Sequence, residues 1–347
     1  MLYRKKNPHG GAAFEPGVIL DMSANTNPLG TPPGVIAAVR DSLDRVKDYP
    51  DPYCRDLVKA IAAFEGVPEE YVLCGNGAAE LIYAWARAAR PKTALETAPT
   101  FSEYSQVLEM TGCAVERYPL GEKTGFLLDE GFLRFLREKR PEAVVLCTPN
   151  NPTGRLIPRP LLERVLETCR ELGSRLFLDE CFLPLSDGGL SMKDRLREYP
   201  GLFLLKAYTK SYGMAGLRLG YCLTADAGLL EGMSEMSQPW NVSVPAQAAG
   251  IAALREGDFL ARAVDIIRAE RPRLKAGLEA LGLRVCPSEA NYLLFRGPED
   301  LGEKLLRRGV ALRSCANYIG LGPGWYRTAV KTREENDRLL HELEGME

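Results

Sequence analysis

The sequence predicts an α/β fold, with a mostly parallel sheet flanked by helices in a large lobe and a smaller α+β lobe beside it. Three observations predict this. The chain of 347 residues is long for one simple core, short β-rich runs alternate with helical stretches through its middle, and that pattern changes after about residue 240. We therefore expect a large lobe at residues 36–241 and a small lobe made from residues 1–35 and 242–347.

The strands of the large lobe are predicted, in order, from short apolar runs separated by helical patterns. They are 71–74, 93–99, 113–120, 143–150 and 175–180, followed by GLFLLKAYTK (201–210) and LRLGYCLT (217–224). The run at 143–150 is almost wholly apolar up to its polar end, as a strand covered on both faces should be. Helices are predicted within AAELIYAWARAA (78–89), from about Ser102, and over 158–172.

The small lobe is predicted from the two ends of the chain. Charged helices at roughly 245–281 precede four β-rich runs, LRVCPS, ANYLLFR, GVALRS and WYRTAVKT. Thr332 and Glu335 form a T-x-x-E capping box at the start of the last helix. Residues 1–35 are rich in Gly, Pro and Asn, so we expect them to run extended along the surface between the lobes.

Composition excludes several classes of protein. The net charge is −2 and no basic block is present, so nucleic-acid binding has no electrostatic support. No run of about 18 apolar residues predicts a membrane span, and MLYRKKNPHGG has no signal-peptide core. Nine cysteines without a CxxC spacing favour free thiols and a cytoplasmic location. Only two histidines occur, so neither a metal site nor a hydrolase relay is expected.

Polar side chains follow several of the predicted strands. Asn76, Asn151, Asp179 and Lys210 each come after an apolar run, and ligands of open α/β sheets bind at the carboxyl ends of strands. Singly, each has an ordinary explanation, because such residues form turns, cap helices or lie in solvent. Their joint occurrence in this order is what indicates a functional site.

Pyridoxal phosphate is a cofactor that requires this whole set of groups. It needs a lysine amine that bonds to it, and a carboxylate that keeps its pyridine nitrogen protonated. A helix N-terminus with glycines, hydroxyls and an arginine suits its phosphate. An aromatic side chain can stack on the face of its pyridine ring, and a further arginine can bind the carboxylate of an amino-acid substrate.

Three motifs resemble the fold-type I aminotransferase superfamily, in its histidinol-phosphate aminotransferase-like branch. They are CTPNNPTG, FLDECF and YTKSYGMAGLRLGY, and the likeness extends over nearly the whole chain. The resemblance implies a pyridoxal phosphate-dependent enzyme in which Lys210 carries the cofactor. It also implies that Asp179 contacts the pyridine nitrogen and that Asn151 donates to the oxygen on the ring.

The same resemblance implies the remaining contacts. Phe101 takes the place of the aromatic residue that stacks on the cofactor, and Arg327 and Arg313 match arginines that bind the substrate carboxylate. Tyr49 matches a tyrosine that family dimers insert from the neighbouring subunit, so a homodimer is implied. The cofactor phosphate is assigned to Gly77, Ala78, Ala79, Thr209 and Arg218.

Other passages resemble one family within this branch, the threonine-phosphate decarboxylases of cobalamin biosynthesis. They are HGG at 9–11 and the long segments 21–35 and 311–336. Phe182 agrees with this, because histidinol-phosphate aminotransferases usually have a tyrosine there. The resemblance implies decarboxylation of L-threonine O-3-phosphate, with His9, Ser23 and Asn25 as candidates to hold the phosphate of the substrate.

Three alternatives remain open at this point. The nearest is a histidinol-phosphate or related amino-acid aminotransferase that uses 2-oxoglutarate and glutamate. A cofactor-binding regulatory module is disfavoured by the absence of a helix-turn-helix pattern or a basic segment. A dinucleotide dehydrogenase is disfavoured because GNGAAE lacks the third glycine of the fingerprint.

Overall fold

The computed structural model describes residues 9–345 of the chain. Its strands are β1 (Leu20–Asp21), β2 (Val72–Gly75), β3 (Thr93–Ala98), β4 (Ala114–Pro119), β5 (Ala143–Cys147), β6 (Arg175–Asp179), β7 (Leu202–Ala207), β8 (Gly220–Thr224), β9 (Arg284–Val285), β10 (Tyr292–Arg296), β11 (Val310–Ala311), β12 (Arg313–Ser314) and β13 (Trp325–Ala329). Its α-helices are α1 (Pro33–Asp41), α2 (Arg55–Glu65), α3 (Gly77–Ala89), α4 (Glu103–Met110), α5 (Gly131–Lys139), α6 (Arg159–Leu172), α7 (Tyr208–Ser211), α8 (Ala227–Glu235), α9 (Val244–Ala253), α10 (Phe259–Ala280), α11 (Leu301–Arg307) and α12 (Arg333–Glu344).

A seven-stranded sheet has the order β2-β8-β7-β6-β5-β3-β4. Strands β3 to β7 pair in parallel with one another, and β8 runs antiparallel to both β7 and β2. The short return from β7 through α7 reverses the chain direction, which accounts for the one antiparallel strand. The predicted fold class, a mostly parallel sheet flanked by helices, is confirmed.

Both faces of this sheet are covered, as the apolar strand runs predicted. Along β5, Val144 and Leu146 pack in one core with α6, and Val145 and Cys147 pack in another core with α3 and α4. Strands β5, β6 and β7 are neighbours in register, with Cys147 opposite Asp179 and Asp179 opposite Leu205. Their carboxyl ends therefore meet at one place on the sheet edge.

A second, antiparallel sheet has the order β12-β13-β10-β9 and packs against α10, α11 and α12. The capping box of Thr332 and Glu335 is present at the start of α12, as predicted. The two-stranded parallel sheet of β1 and β11 joins the N-terminal segment to this region. Among residues 9–345, no helix is both long and apolar enough to cross a membrane.

The division into a large lobe (36–241) and a small lobe (1–35 and 242–347) stays a proposal. The placement of the sheets supports it, although α9 packs in the core that also contains α1 and α2. Residues 1–8 and 346–347 of the proposed small lobe lie outside the described residues.

The course predicted for the N-terminal segment is wrong in one respect. Residues 20–27 do not run along the surface, because Met22, Ser23, Asn25 and Asn27 are almost completely buried. They are buried because this stretch hydrogen-bonds to strand β11 on one side and to Lys210 on the other. A stretch that contains two asparagines thus becomes part of the interior.

Candidate active site

A cavity of about 540 Å³ lies at the carboxyl ends of β5, β6 and β7. It brings together twelve of the fifteen predicted site residues. They are His9, Ser23, Ala78, Ala79, Phe101, Asn151, Asp179, Thr209, Lys210, Arg218, Arg313 and Arg327. The walls come from the sheet edge, from the N-terminal segment and from the region of β12 and β13, so distant parts of the chain enclose one site.

The three other predicted residues do not line this cavity. Gly77 lies just behind its wall, at the first position of α3. Asn25 is fully buried beside Arg327. Tyr49 is 78% exposed and stacks on Trp240 with 4.5 Å between ring centroids, so within one chain it does not reach the site.

Asp179, the last residue of β6, is held by two donors. The Tyr104 hydroxyl donates to Oδ2 at 2.5 Å and the Cys181 N–H donates to Oδ1 at 2.8 Å. Burial raises the pKa of Asp179 above its usual range, although the contacts with Cys181 and Tyr104 act in the opposite direction. The carboxylate is therefore fixed in position, and a cationic partner in the cavity would favour its charged form.

The sequence predicted that Lys210 ends strand β7, and this is wrong. Lys210 lies in the one-turn helix α7 that follows the strand. Burial lowers the pKa of its amine to about 8, and the positive charges of Arg327 and Arg218 add to this effect. The backbone carbonyl of Lys210 accepts from the Asn27 N–H at 2.9 Å. The main chain at Lys210 is thus anchored, and its amine has a neutral, nucleophilic fraction near physiological pH.

The residues assigned to the cofactor phosphate form a cradle at the start of α3. Ala78 and Ala79 in its first turn, Thr209 and Arg218 line the cavity together. A Cβ at Gly77 would come within 2.5 Å of Nη2 of Arg218, and the φ of Gly77 is +77°, so only glycine fits here. Helix N–H groups, a hydroxyl and a guanidinium form a donor set that fits a phosphate dianion. The residues present therefore fit pyridoxal phosphate.

Arg327 on β13 is held rigidly over the site. It donates to Oδ1 of Asn151 at 2.5 Å and to the carbonyl of Ser23 at 3.0 Å. With its amide oxygen turned towards the guanidinium, Asn25 accepts from Nε at 3.0 Å. Because Asn151 uses its oxygen for Arg327 and for the Tyr318 hydroxyl at 3.2 Å, its amide nitrogen is the group left to donate into the cavity.

Arg313 lies on the same side of the cavity. It donates to Oδ1 of Asn317 at 2.9 Å, and its guanidinium lies 5.1 Å from the centroid of the Tyr318 ring. It is nearly as deeply buried as Arg327. Two arginines are therefore available to anionic groups of a ligand.

The N-terminal segment also lines the cavity, through residues that include His9 and Ser23. Nε2 of His9 lies 2.9 Å from Oε1 of Glu103, and its ring centroid lies 5.9 Å from that of Phe101. The Ser23 hydroxyl donates to Asp21 at 2.5 Å and accepts from the Gly11 N–H at 2.9 Å, so its hydrogen-bonding capacity is used within the segment.

Several cavity residues were not identified from the sequence, and three of them contact predicted site residues through their side chains. Tyr104 contacts Asp179, Tyr318 contacts Asn151 and Glu103 contacts His9. Tyr104 follows Phe101 in PTFSEY, which is a signal that an aromatic pair enters the site together. For Tyr318 and Glu103 the sequence contains no signal, because their partners are more than 90 residues away.

Comparison with known proteins gives consistent results. A family model described as aminotransferase class I and II matches residues 18–343. Threonine-phosphate decarboxylase of Salmonella typhimurium is 37% identical and covers 97% of this chain and 96% of that protein. Histidinol-phosphate aminotransferase of Desulfitobacterium hafniense is 34% identical over 93% of this chain and 90% of that protein. The solved structure of histidinol-phosphate aminotransferase from Clostridium acetobutylicum is 28% identical and superposes with a TM-score of 0.87. The match covers 94% of this chain and 98% of that chain.

Proposed function

The chain belongs to the class I and II aminotransferase family, a family of pyridoxal 5′-phosphate-dependent enzymes, and we propose that it decarboxylates L-threonine O-3-phosphate. The products are (R)-1-amino-2-propanol O-2-phosphate and CO₂. The observation that carries this proposal is the set of side chains on the substrate side of the cavity that can bind anions. Arg327, Arg313 and His9 lie there in addition to the groups assigned to the cofactor.

Such a set suits a substrate that has two anionic groups of different kinds. Guanidinium groups bind carboxylate and phosphate through charge-assisted, often bidentate, hydrogen bonds. Threonine phosphate has both anions, whereas histidinol phosphate has only the phosphate. The 37% identity to a threonine-phosphate decarboxylase over nearly the full length of both chains supports the same conclusion.

The residues of the chain have separate tasks in this reaction. When bound, the cofactor provides an acceptor for the electron pair that stays on the α-carbon as CO₂ leaves. Asp179 holds a proton on the pyridine nitrogen, and its fixed carboxylate keeps that contact in place. Lys210, whose amine has a pKa of about 8, is the group placed to deliver the proton that replaces the carboxylate.

Orientation selects the bond that breaks. The bond at the α-carbon that stands perpendicular to the plane of the cofactor is the one whose electrons are stabilised. We assign the substrate carboxylate to Arg327 and Arg313, and the phosphate to the part of the cavity near His9. The other two candidates are less suited to it, because the Ser23 hydroxyl is paired with Asp21 and Gly11 and Asn25 contacts Arg327 instead of lining the cavity. Anchoring both ends would leave the substrate one orientation, with the carboxylate bond perpendicular.

The alternative is an amino-acid aminotransferase. The 34% identity to a histidinol-phosphate aminotransferase favours it, and the two reactions use the same cofactor contacts. In that case Arg327 would bind the carboxylate of glutamate or 2-oxoglutarate, and Lys210 would move a proton from the α-carbon.

Product analysis distinguishes the two functions. The enzyme is incubated with threonine phosphate in the presence and absence of 2-oxoglutarate, and CO₂ and the amino-propanol phosphate are measured. We expect one CO₂ to be released for each threonine phosphate consumed, without any oxo acid. A strict requirement for 2-oxoglutarate, with no release of CO₂, would refute the decarboxylase.

The assembly and location are also proposed. The exposed pair of Tyr49 and Trp240 supports a homodimer, because a large aromatic surface of this kind is typical of an interface. Nine cysteines, all buried and none in a disulfide, support a reducing, cytoplasmic location. A place in cobalamin biosynthesis follows if the decarboxylation is confirmed.

A further inference from the structure

Three buried charges lie close to the active site but do not line its cavity. The Lys206 amine on β7 lies 3.1 Å from Oε2 of Glu180 and 3.3 Å from Oε1 of Glu65. All three residues are at most 7% exposed. We call them the buried triad.

Every carboxylate oxygen of the buried triad has a partner. Glu65 accepts from the Tyr221 hydroxyl at 2.6 Å and from the Lys193 amine at 2.9 Å. Glu180 accepts from the Ser191 hydroxyl at 2.6 Å and from the Met192 N–H at 2.9 Å. The triad is therefore a closed network to which five separate stretches of the chain contribute.

Two of the triad residues, Lys206 and Glu65, are held in their charged forms. Burial alone would lower the pKa of Lys206, but Glu180 and Glu65 outweigh it and raise that pKa. Burial would raise the pKa of Glu65, but Lys206, Lys193 and Tyr221 lower it. Buried ion pairs of this kind often contribute little to stability compared with apolar residues, although removing one partner is costly. Their presence here calls for another explanation.

The position of the triad next to the two main cofactor residues suggests that explanation. Glu180 directly follows Asp179, and its N–H donates to the carbonyl of Leu205 at 2.9 Å. Lys206 is the residue after Leu205 near the end of β7, and it precedes Lys210 in α7 by four residues. The ion pair between Glu180 and Lys206 thus ties the carboxyl end of β6 to the carboxyl end of β7.

We propose that the buried triad is a positioning unit for the active site: it sets the carboxylate of Asp179 relative to the amine of Lys210. Glu65, at the end of α2, completes the unit by holding Lys206 from the other side. The three residues do not touch substrate or cofactor. They act through the strand ends, where an error of about 1 Å can reduce a rate about a hundredfold.

The test is Lys206→Met in the holoenzyme, with Lys206→Arg as the conservative variant. We expect the kcat of Lys206→Met to fall about tenfold to a hundredfold with little change in KM. The visible circular dichroism of the bound cofactor, which reports its orientation, should weaken in parallel. Lys206→Arg should restore both, because it keeps the charge between Glu65 and Glu180.

Glu270→Gln is the matched control. Glu270 is also a buried carboxylate, and it accepts from Arg273, Arg333 and Asn336, but it does not line the cavity. The Glu270→Gln substitution should lower the melting temperature and leave kcat and the dichroism unchanged. If Lys206→Met behaves in the same way, the triad is merely structural and the proposal is overturned. If Lys206→Met does not fold, the charge-free variant Glu65→Gln, Glu180→Gln, Lys206→Met is judged by the same criteria.

The proposal rests on the cofactor chemistry of the family and not on the substrate. Rates are measured with whichever amino acid the wild type converts, and the dichroism needs no substrate. Failure of the wild type to decarboxylate threonine phosphate would therefore refute the proposed function and leave this test intact.

Discussion

The cofactor side and the substrate side of the cavity are built in different ways. Asn151, Asp179 and Lys210 follow three strands that are neighbours in the sheet, so their proximity comes from regular pairing. Arg327, in contrast, is held by Ser23, from the other end of the chain. The three motifs that resemble the aminotransferase superfamily all lie on the regular side. The assembled side is where members that share a cofactor can differ in their reaction.

This difference leads to a ranking of effects. Changes on the cofactor side should abolish or greatly slow every reaction of the enzyme. Changes on the substrate side should alter which substrates bind and leave the cofactor in place.

The largest effect is expected for Lys210→Ala. Without the amine the cofactor has no covalent attachment and no proton donor, so turnover should fall at least about a thousandfold. The visible absorption of lysine-bound cofactor should also disappear. Lys331→Ala, which removes a lysine paired with Glu335 outside the cavity, is the control. Wild-type absorption in Lys210→Ala would contradict the assignment.

The next effect is expected for Asp179→Asn, which keeps the shape of the side chain. The proton on the pyridine nitrogen loses its counter-charge, so kcat should fall about a hundredfold to a thousandfold while the cofactor still binds. Steady-state rates measure the loss of kcat, and the absorption spectrum measures whether the cofactor is still bound. Near-normal turnover would remove Asp179 from the proposed role.

Arg327→Ala tests the substrate side. Loss of a buried guanidinium that binds a carboxylate costs about 2 kcal/mol or more, so KM should rise at least about thirtyfold. Cofactor absorption should be retained. Arg296→Ala, on the neighbouring strand β10 but exposed, should change neither value. An unchanged KM in Arg327→Ala would place the substrate carboxylate elsewhere.

The pKa of Lys210 predicts a pH dependence on the cofactor side. Because the pKa is lowered to about 8, the neutral amine increases as pH rises through 8. Loading of the apoenzyme with pyridoxal phosphate should therefore be about tenfold faster at pH 9 than at pH 7. An unperturbed lysine would give a midpoint near 10.4 instead, and that midpoint would show that burial does not act as inferred.

The smallest effect is expected for His9→Ala. One charge-assisted hydrogen bond to the phosphate of the substrate is worth about 1.5 kcal/mol, so KM for threonine phosphate should rise about tenfold. The KM for L-threonine, which lacks the phosphate, should not change. Equal effects on both substrates would mean that His9 only supports Phe101 and Glu103.

Much of the cofactor side was predictable because its information is local. Lys210, Asp179 and Asn151 each follow an apolar run, and parallel pairing then brings strand ends together. Gly77, Ala78 and Ala79 follow from the turn between β2 and α3, whereas Thr209 and Arg218 belong to the motif around Lys210. The short helix that contains Lys210 was not predicted, since four residues give too weak a helical pattern.

The sequence by itself determined the fold class, the family and the cofactor, because these depend on periodicity and on motifs within single segments. Only the tertiary structure decided which residues enclose the substrate side: Tyr318 on Asn151, Glu103 on His9, and the burial of residues 20–27. The physical reason is chain separation. A contact between residues 90 to 300 positions apart depends on how the whole chain packs, and no local pattern in the sequence encodes it.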